Sequence, residues 1–327
     1  MRIRTRTVRW WTFVGPNPSV PCVHDGTVYV VGLRVWAVEA ADGLVRWSTS
    51  EIGHLAAPAA SGDTVYVAGQ GRYGGNKFYA LDTADGRVRW RRRIPAVSLT
   101  SPVVADGLVH HVDGSRHLRT FDAATGRRRR RVRYRRGGAN LAGPVLADGT
   151  LYVVEDGGTV RALDPATGAV RWQRPTGVDG AVTPLVHDGT LYLGGRHHRE
   201  VHALDAATGE QRWSAWPYLV RGGFDTTPAI HGDTLYIAGS DSRLYALNAT
   251  TGKARWRVTA DSSIRSAPVV ADGKVYFGTR LGQVWAIRAD NGQVRWQAKA
   301  GGDVRSLAVA DGRVHVCSDT HLYTLDA

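Results

Sequence analysis

One phrase is written again and again through this chain. LYALNATTGKARW (244–256) has near copies in FYALDTADGRVRW (78–90), VRALDPATGAVRW (160–172), VHALDAATGEQRW (201–213) and VWAIRADNGQVRW (284–296). Weaker copies are VWAVEAADGLVRW (35–47) and LRTFDAATGRRRR (118–130), and a shortened one, LYTLDA, fills 322–327. Self-similarity at a period of about 40 residues restricts the chain to an array of equal supersecondary units, each burying its apolar face against the next.

One unit, SAPVVADGKVYFGTRLGQVWAIRADNGQVRW (266–296), shows what is repeated. APVV is a short apolar strand (A). ADG is the turn of a tight hairpin, because Asp-Gly tolerates the positive φ of a type I′ turn. KVYFG and VWAIRA are strands B and C, DNG is a second turn, and QVRW is strand D. Four short antiparallel strands per repeat is the signature of a β-propeller blade. The small residue of strand C (Ala37, Ala80, Ala162, Ala203, Ala246, Ala286) lets a neighbouring blade approach. The Trp four residues after the Gly (Trp47, Trp90, Trp172, Trp213, Trp256, Trp296) is placed to pack between blades. This explains a composition of eleven Trp against five Phe, and it makes most of the Trp architectural.

Successive Trp positions lie 43, 82, 41, 43 and 40 residues apart, the double step arising because Arg130 stands where a Trp is due. After Trp296 there is one repeat without its fourth strand, while the chain begins with an orphan fourth strand, TVRW (7–10). The sequence therefore predicts an all-β, eight-bladed propeller over 1–327, a single domain in which strand 7–10 completes the last blade, 297–327. Such closure also protects strand edges.

The phrase A-x-D-x-x-T-G-x-x-x-W resembles the repeat of the PQQ-type, quinoprotein-like eight-bladed propellers, across essentially the whole chain. The resemblance implies fold more than function, since the architecture hosts many activities. Alcohol dehydrogenases of that family hold pyrroloquinoline quinone against a vicinal Cys-Cys disulfide beside a calcium ion. Here Cys22 and Cys317 are far apart, no position matches the calcium ligands and there is no C-x-x-C-H haem motif. No cofactor and no metal are therefore expected. Related assembly lipoproteins carry a lipoprotein signal before a Cys, whereas SVPCV around Cys22 lacks the apolar run. Sensor propellers fused to actinobacterial-type kinases are a third group, of which a free-standing relative is a natural reading.

Cys22 and Cys317 read as buried free thiols. The basic N-terminus has no apolar core before a cleavage site, and no run reaches the roughly 20 apolar residues of a membrane span. A cytoplasmic monomer with no membrane contact is the expectation.

Once the repeat is subtracted, the A–B and C–D turns are short and monotonous, while the D–A and B–C connections vary. Function in repeat proteins collects where the insertions are. The connection after Trp213 is longer than most and supplies Trp216, Tyr218, Arg221, Phe224 and Asp225. The loop GGRHHRE (194–200) adds His197 and His198. Aligning the D–A connections brings His54, Ser98, Asn140, Asp179, Asp225, Arg265, Asp303 and Arg305 to one level, just before the innermost strands. Converging polar groups at a concave mouth define the default binding site. Arg265 and Arg305 suit a carboxylate or phosphate, or pair with Asp303 and Asp225 in a salt-bridge ring. His54, Asp225 and Asp303 are the candidate acid–base groups.

The expected function is a binding or scaffold protein holding a protein partner, or a small anionic or carbonyl-bearing ligand, on this variable face. The alternative is a cofactor-free cyclase, lyase or hydrolase acting at the same mouth. A net charge of +13, with only four lysines, adds an arginine stripe running from Arg87 to Arg136. With few aromatics interleaved it supports non-specific nucleic-acid contact at most, the other reading being edge protection. If the stripe binds polyanions, affinity for heparin falls steeply between 50 and 200 mM salt, on the order of tenfold or more. Salt-independent retention would remove that role.

Overall fold

The computed structural model describes residues 4–50, 52–71, 74–96, 100–113, 117–133, 142–155, 157–178, 180, 182–195, 197–216, 222–224 and 226–327. It is an all-β, eight-bladed propeller of four-stranded antiparallel blades. Blade 1 comprises Cys22–His24, Thr27–Val31, Val35–Glu39 and Val45–Thr49, and the four strands of each of blades 2 to 6 fall within 59–93, 103–133, 145–175, 185–215 and 229–259. Blade 7 comprises Val269–Ala271, Lys274–Gly278, Gln283–Arg288 and Val294–Lys299. In blade 8, Val304–Ala310, Arg313–Ser318 and His321–Asp326 are completed by the N-terminal strand Trp10–Phe13, which pairs antiparallel with the last of them. By contact density blades 4 to 7 form one compact unit and blades 1, 2, 3 and 8 another.

The N-terminal strand sits three residues further along than TVRW suggests. The repeated phrase ends at Trp, but strand D continues past it in the other blades too, as Val45–Thr49 and Val88–Arg93 do. A short strand, Arg4–Thr5, also adds to blade 7 in parallel, beside Trp296 and Gln297. No copy of the repeat predicts it.

Within a blade the sequence acts locally. At the A–B turn Asp25 and Gly26 take φ of 45° and 68°, as a type I′ turn requires, and Asp272–Gly273 repeats the pattern at 49° and 67°. Strand B is buried on both faces, as in Thr27–Val31 and Thr150–Val154, so it reads as continuously apolar. Between strands C and D the register slips by one residue directly after the small residue, for instance between Ala80 and Leu81 and between Ala203 and Leu204. The extra residue is the Arg of the V-R-W phrase. A bulge re-aims its side chain, here back toward the short-turn end of the blade. There Arg89 reaches Asp82 at 2.6 Å, Arg171 reaches Asp164 at 3.0 Å and Arg212 reaches Asp205 at 2.7 Å. Arg171 and Arg212 also donate to Thr150 and Thr190, each at 2.6 Å. The Arg212 guanidinium and backbone N–H donors hold the Asp205 carboxyl down at about 2.

Blades are joined by a ring lying on a glycine. The indole of Trp172 lies under the C–D turn of the next blade, where a Cβ on Gly209 would fall 2.6 Å from the ring. The same seat recurs for Trp10 under Gly43, Trp47 under Gly86, Trp90 under Gly126, Trp213 under Gly252 and Trp256 under Gly292. In five of these six seats, all but that of Trp10, the indole N–H also finds a carbonyl of that turn. Trp47 donates to Thr83 at 2.8 Å, Trp90 to Ala123 at 2.8 Å and Trp213 to Ala249 at 2.9 Å. A strand-B tyrosine packs on the indole and donates to the same turn, as Tyr152 does to Ala206 at 3.0 Å.

Two blades rewrite this unit. In six blades the strand-B tyrosine faces the small Ala across the strand pair, as Tyr66 faces Ala80 and Tyr236 faces Ala246. In blades 3 and 8 both partners change together, to His110 opposite Thr120 and His315 opposite Thr324. The ring nitrogens Nδ1 of His110 and His315 bond the threonine hydroxyls at 3.0 and 2.8 Å. The shorter side chain thus exchanges a long-range hydrogen bond for one inside the blade. Burial pushes His110, His315 and the neighbouring His111 down to about 4.

Gly209→Ala, which forces a Cβ into the Trp172 ring at φ 75°, should cost about 2 kcal/mol or more. Gly189→Ala, at φ 64° but with no close neighbour, should cost about 1 kcal/mol from backbone strain alone. Urea unfolding checks this, and equal losses would contradict the docking role of Gly209. The lowered histidines give the protein a second signature. Their neutral forms are built into the fold, so stability is complete above the unfolded value of about 6.5 and declines as pH falls toward 4. The limit is about 3 kcal/mol per histidine. Thermal melts across that range should be shallower for His110→Tyr combined with Thr120→Ala, and an unchanged slope would refute the assignment.

Candidate functional site

The ends of the blades that carry the D–A and B–C connections gather buried polar groups. Arg265 and Arg305 occupy equivalent places, one residue after the core positions Ile264 and Val304. Arg305 is engaged: its Nε lies 3.4 Å from Asp303, its Nη1 donates to Asn17 at 2.7 Å, and Asp319 is 3.9 Å away. Asp319 also accepts from the Asp303 backbone N–H at 3.2 Å. One carboxylate oxygen of Asp303, Oδ1, is buried without a hydrogen-bond partner among the described residues. Arg265 is exposed, and its side chain has no partner among the described residues.

Phe224 occupies the core position of its own blade. It is fully buried against Tyr245 and Ile237, and its backbone N–H donates to Gly195 at 2.9 Å. Trp216 is 60% exposed, with its indole N–H on the Glu200 carboxylate. His197 is exposed, and His54 and His198 lie in strands. Ser98, Asn140, Asp179, Tyr218, Arg221 and Asp225 lie outside the described residues.

The sequence reading missed a second level. In blades 1, 2, 7 and 8 the residue before the small one on strand C is Trp36, Tyr79, Trp285 or Tyr323. In blades 3 to 6 it is Arg119, Arg161, His202 or Tyr245, each on a carboxylate. Arg119 binds the fully buried Asp113, which also accepts from the His117 backbone N–H at 3.1 Å. Arg161 lies 2.7 Å from Glu155, and His202 lies 3.4 Å from Glu200. Tyr245 donates to Asp241 at 2.5 Å, and Arg243 approaches the same carboxylate at 3.2 Å. Burial raises Glu155 above the usual carboxylate range despite Arg161, and burial with Asp241 pushes the Tyr245 hydroxyl up to about 12. The available signal was the change from aromatic to arginine at this repeat position in blades 3 and 4. It was hidden because the same position tolerates bulky residues of any polarity. Among the described residues no group of three or more His, Cys, Asp or Glu could hold a metal ion.

The wedge-and-turn repeat and the eight four-stranded blades define a PQQ-type propeller. The chain belongs to the family described as outer membrane protein assembly factor BamB, which it matches over 3–72, 50–175, 129–217 and 197–327. Among curated relatives, the serine/threonine-protein kinase AfsK of Streptomyces coelicolor is 32% identical over 325 residues, covering 81% of this chain and 37% of the kinase. The quinohemoprotein alcohol dehydrogenase ADH IIB of Pseudomonas putida is 38% identical over 109 residues, 29% of this chain and 16% of that enzyme. The chain thus spans a minor part of either relative. BamB from Moraxella catarrhalis is similar in structure, with a TM-score of 0.83 at 19% identity over 99% of this chain and 100% of that one. At that identity the likeness is one of fold.

Proposed function

We propose that this propeller is a binding scaffold that holds a protein partner, with anionic groups on its surface, at the end of the blades bearing the D–A and B–C connections. The observation that carries the reading is Trp216. A large indole left 60% exposed yet fixed by Glu200 is a preformed anchor of the kind that dominates interfaces. Arg265, exposed and without a side-chain partner among the described residues, supplies a charge for the partner's carboxylates. The buried carboxylate pairs of blades 3 to 6 stiffen the strand ends from which these groups project. BamB-like propeller architecture supports a generic binding or scaffold role of this kind.

A second reading, acid–base chemistry on a small carbonyl-bearing or anionic metabolite, is favoured by the unbonded Oδ1 of Asp303. We also propose a cytoplasmic location, which the two free cysteines support.

Affinity capture from the host lysate, quantified by mass spectrometry, tests the scaffold reading. A specific partner should fall at least tenfold with Trp216→Ala and with Arg265→Glu, both folded as wild type, and stay bound to an Arg91→Ala control. Equal recovery with all four proteins would overturn it. Loss of turnover of a host metabolite in a stably folded Asp303→Asn protein would instead favour the enzyme reading.

A further inference from the structure

The opposite, short-turn ends of the blades carry a departure that the repeat itself exposes. In seven blades the arginine just before the Trp position meets an acid there. Its partners are Glu39, Asp82, Asp122, Asp164, Asp205, Asp233 and Asp326. Across the strand pair, the acid or amide of strand C faces the first residue of strand B, as Asp82 faces Thr64 and Asp205 faces Thr190. Where strand B begins with a cation, in blade 8, the facing residue is an acid, Asp326 opposite Arg313.

Blade 7 breaks the rule at both places. Strand C carries Arg288 instead of an acid, strand B begins with Lys274 instead of Thr, and these two cations face each other directly. Like charges directly opposite in a sheet are destabilising. Arg288 turns away to Asp290, bonding its Oδ1 at 2.8 Å. Arg295, which follows the same register slip after Ala286, has no partner among the described residues, and neither has the Lys274 ammonium. The wiring of the repeat is intact, and only the anion is missing from it.

The three cations line a cleft of about 530 Å³ between blades 6 and 7, a volume within the range of small-molecule sites, together with Asp290 on Arg288 and the paired Arg255 and Asp233. The buried ring of Tyr236 forms part of its lining, and Asp272 and His231 line it as well. We propose that this cleft binds a small molecule carrying a phosphate monoester and hydroxyl groups. The phosphate takes the place of the missing carboxylate between Lys274, Arg288 and Arg295, and it offers an acceptor oxygen to each. Asp272 and His231 face the remainder of the ligand and suit hydroxyl donors. The site is at the other end of the blades from Trp216 and does not depend on the scaffold reading.

The test restores the repeat's own pair, Lys274→Thr with Arg288→Asp, and compares this protein with wild type by isothermal titration with glycerol 3-phosphate and with inorganic phosphate at 150 mM salt. Wild type should bind one glycerol 3-phosphate saturably and more tightly than inorganic phosphate. The restored protein should melt at a higher temperature without ligand and bind at least tenfold more weakly. Arg295→Gln, which leaves the strand pair untouched, should weaken binding to a similar degree if the double variant proves poorly folded. Equal binding by all three proteins would place the anion elsewhere on a surface of charge +13, and no binding by wild type would remove the site. Inorganic phosphate binding as tightly as the ester would overturn the monoester assignment.

Discussion

The indole seated under the next blade's glycine is the contact on which the rest of this structure depends. A blade of four short strands cannot bury its faces alone, so the fold exists only if each blade fixes the next. The ring supplies area, its N–H supplies direction, and the glycine supplies two permissions at once. At Gly252 a side chain would meet both Trp213 and Ala215, and the backbone there is left-handed at φ 70°. A single position thus carries a conformational and a packing demand that only glycine satisfies. Where a strand-B tyrosine reaches the same turn, as Tyr66, Tyr152, Tyr192 and Tyr236 do, the joint becomes a rigid wedge.

Because those joints are uniform, the chain's chemistry is concentrated in positions where the repeat is violated. The bulged arginine is the clearest case. The register slip after the small residue delivers a guanidinium to the same place in blades 1 to 7. In blades 1 to 6 a carboxylate meets it, and in blade 7 Arg288 and Lys274 stand instead. At the other end of the blades, the residue before the small one on strand C is Arg119, Arg161, His202 or Tyr245 in four consecutive blades, each with its own buried or half-buried acid. Removing one partner of such a buried pair is costly, so these groups are set in place for as long as the blade is folded.

Much of the fold was legible in the sequence, because the repeat writes its turns, its small residues and its Trp positions explicitly. Asp-Gly at the A–B turns announced positive φ, and the spacing of the Trp residues gave the number of blades, including the one where Arg130 replaces the ring. The strand Arg4–Thr5 was not legible, since a two-residue parallel addition has no pattern. The sites were less readable for a different reason. Aligning connections brought Arg265, Arg305 and Asp303 to one level, but alignment cannot tell a guanidinium already held by Asn17 from one with no partner among the described residues. Phe224 looked like part of a binding loop because its neighbours are polar, although its own place in the repeat is that of Ile264 and Val304. The exchange of Tyr and Ala for His110 and Thr120 is invisible until the register shows the two facing each other.

The account rests on the claim that ring and glycine are one contact and not two independent preferences. A double-mutant cycle on Trp213→Phe and Gly252→Ala, followed by urea unfolding, tests it directly. The smaller ring leaves room for the new Cβ, so the two changes should be coupled by about 1 kcal/mol, with the double variant more stable than the sum of the single losses implies. Losses that add to within about 0.3 kcal/mol would show that the glycine is there for its backbone alone, and that the indole does not lock one blade onto the next.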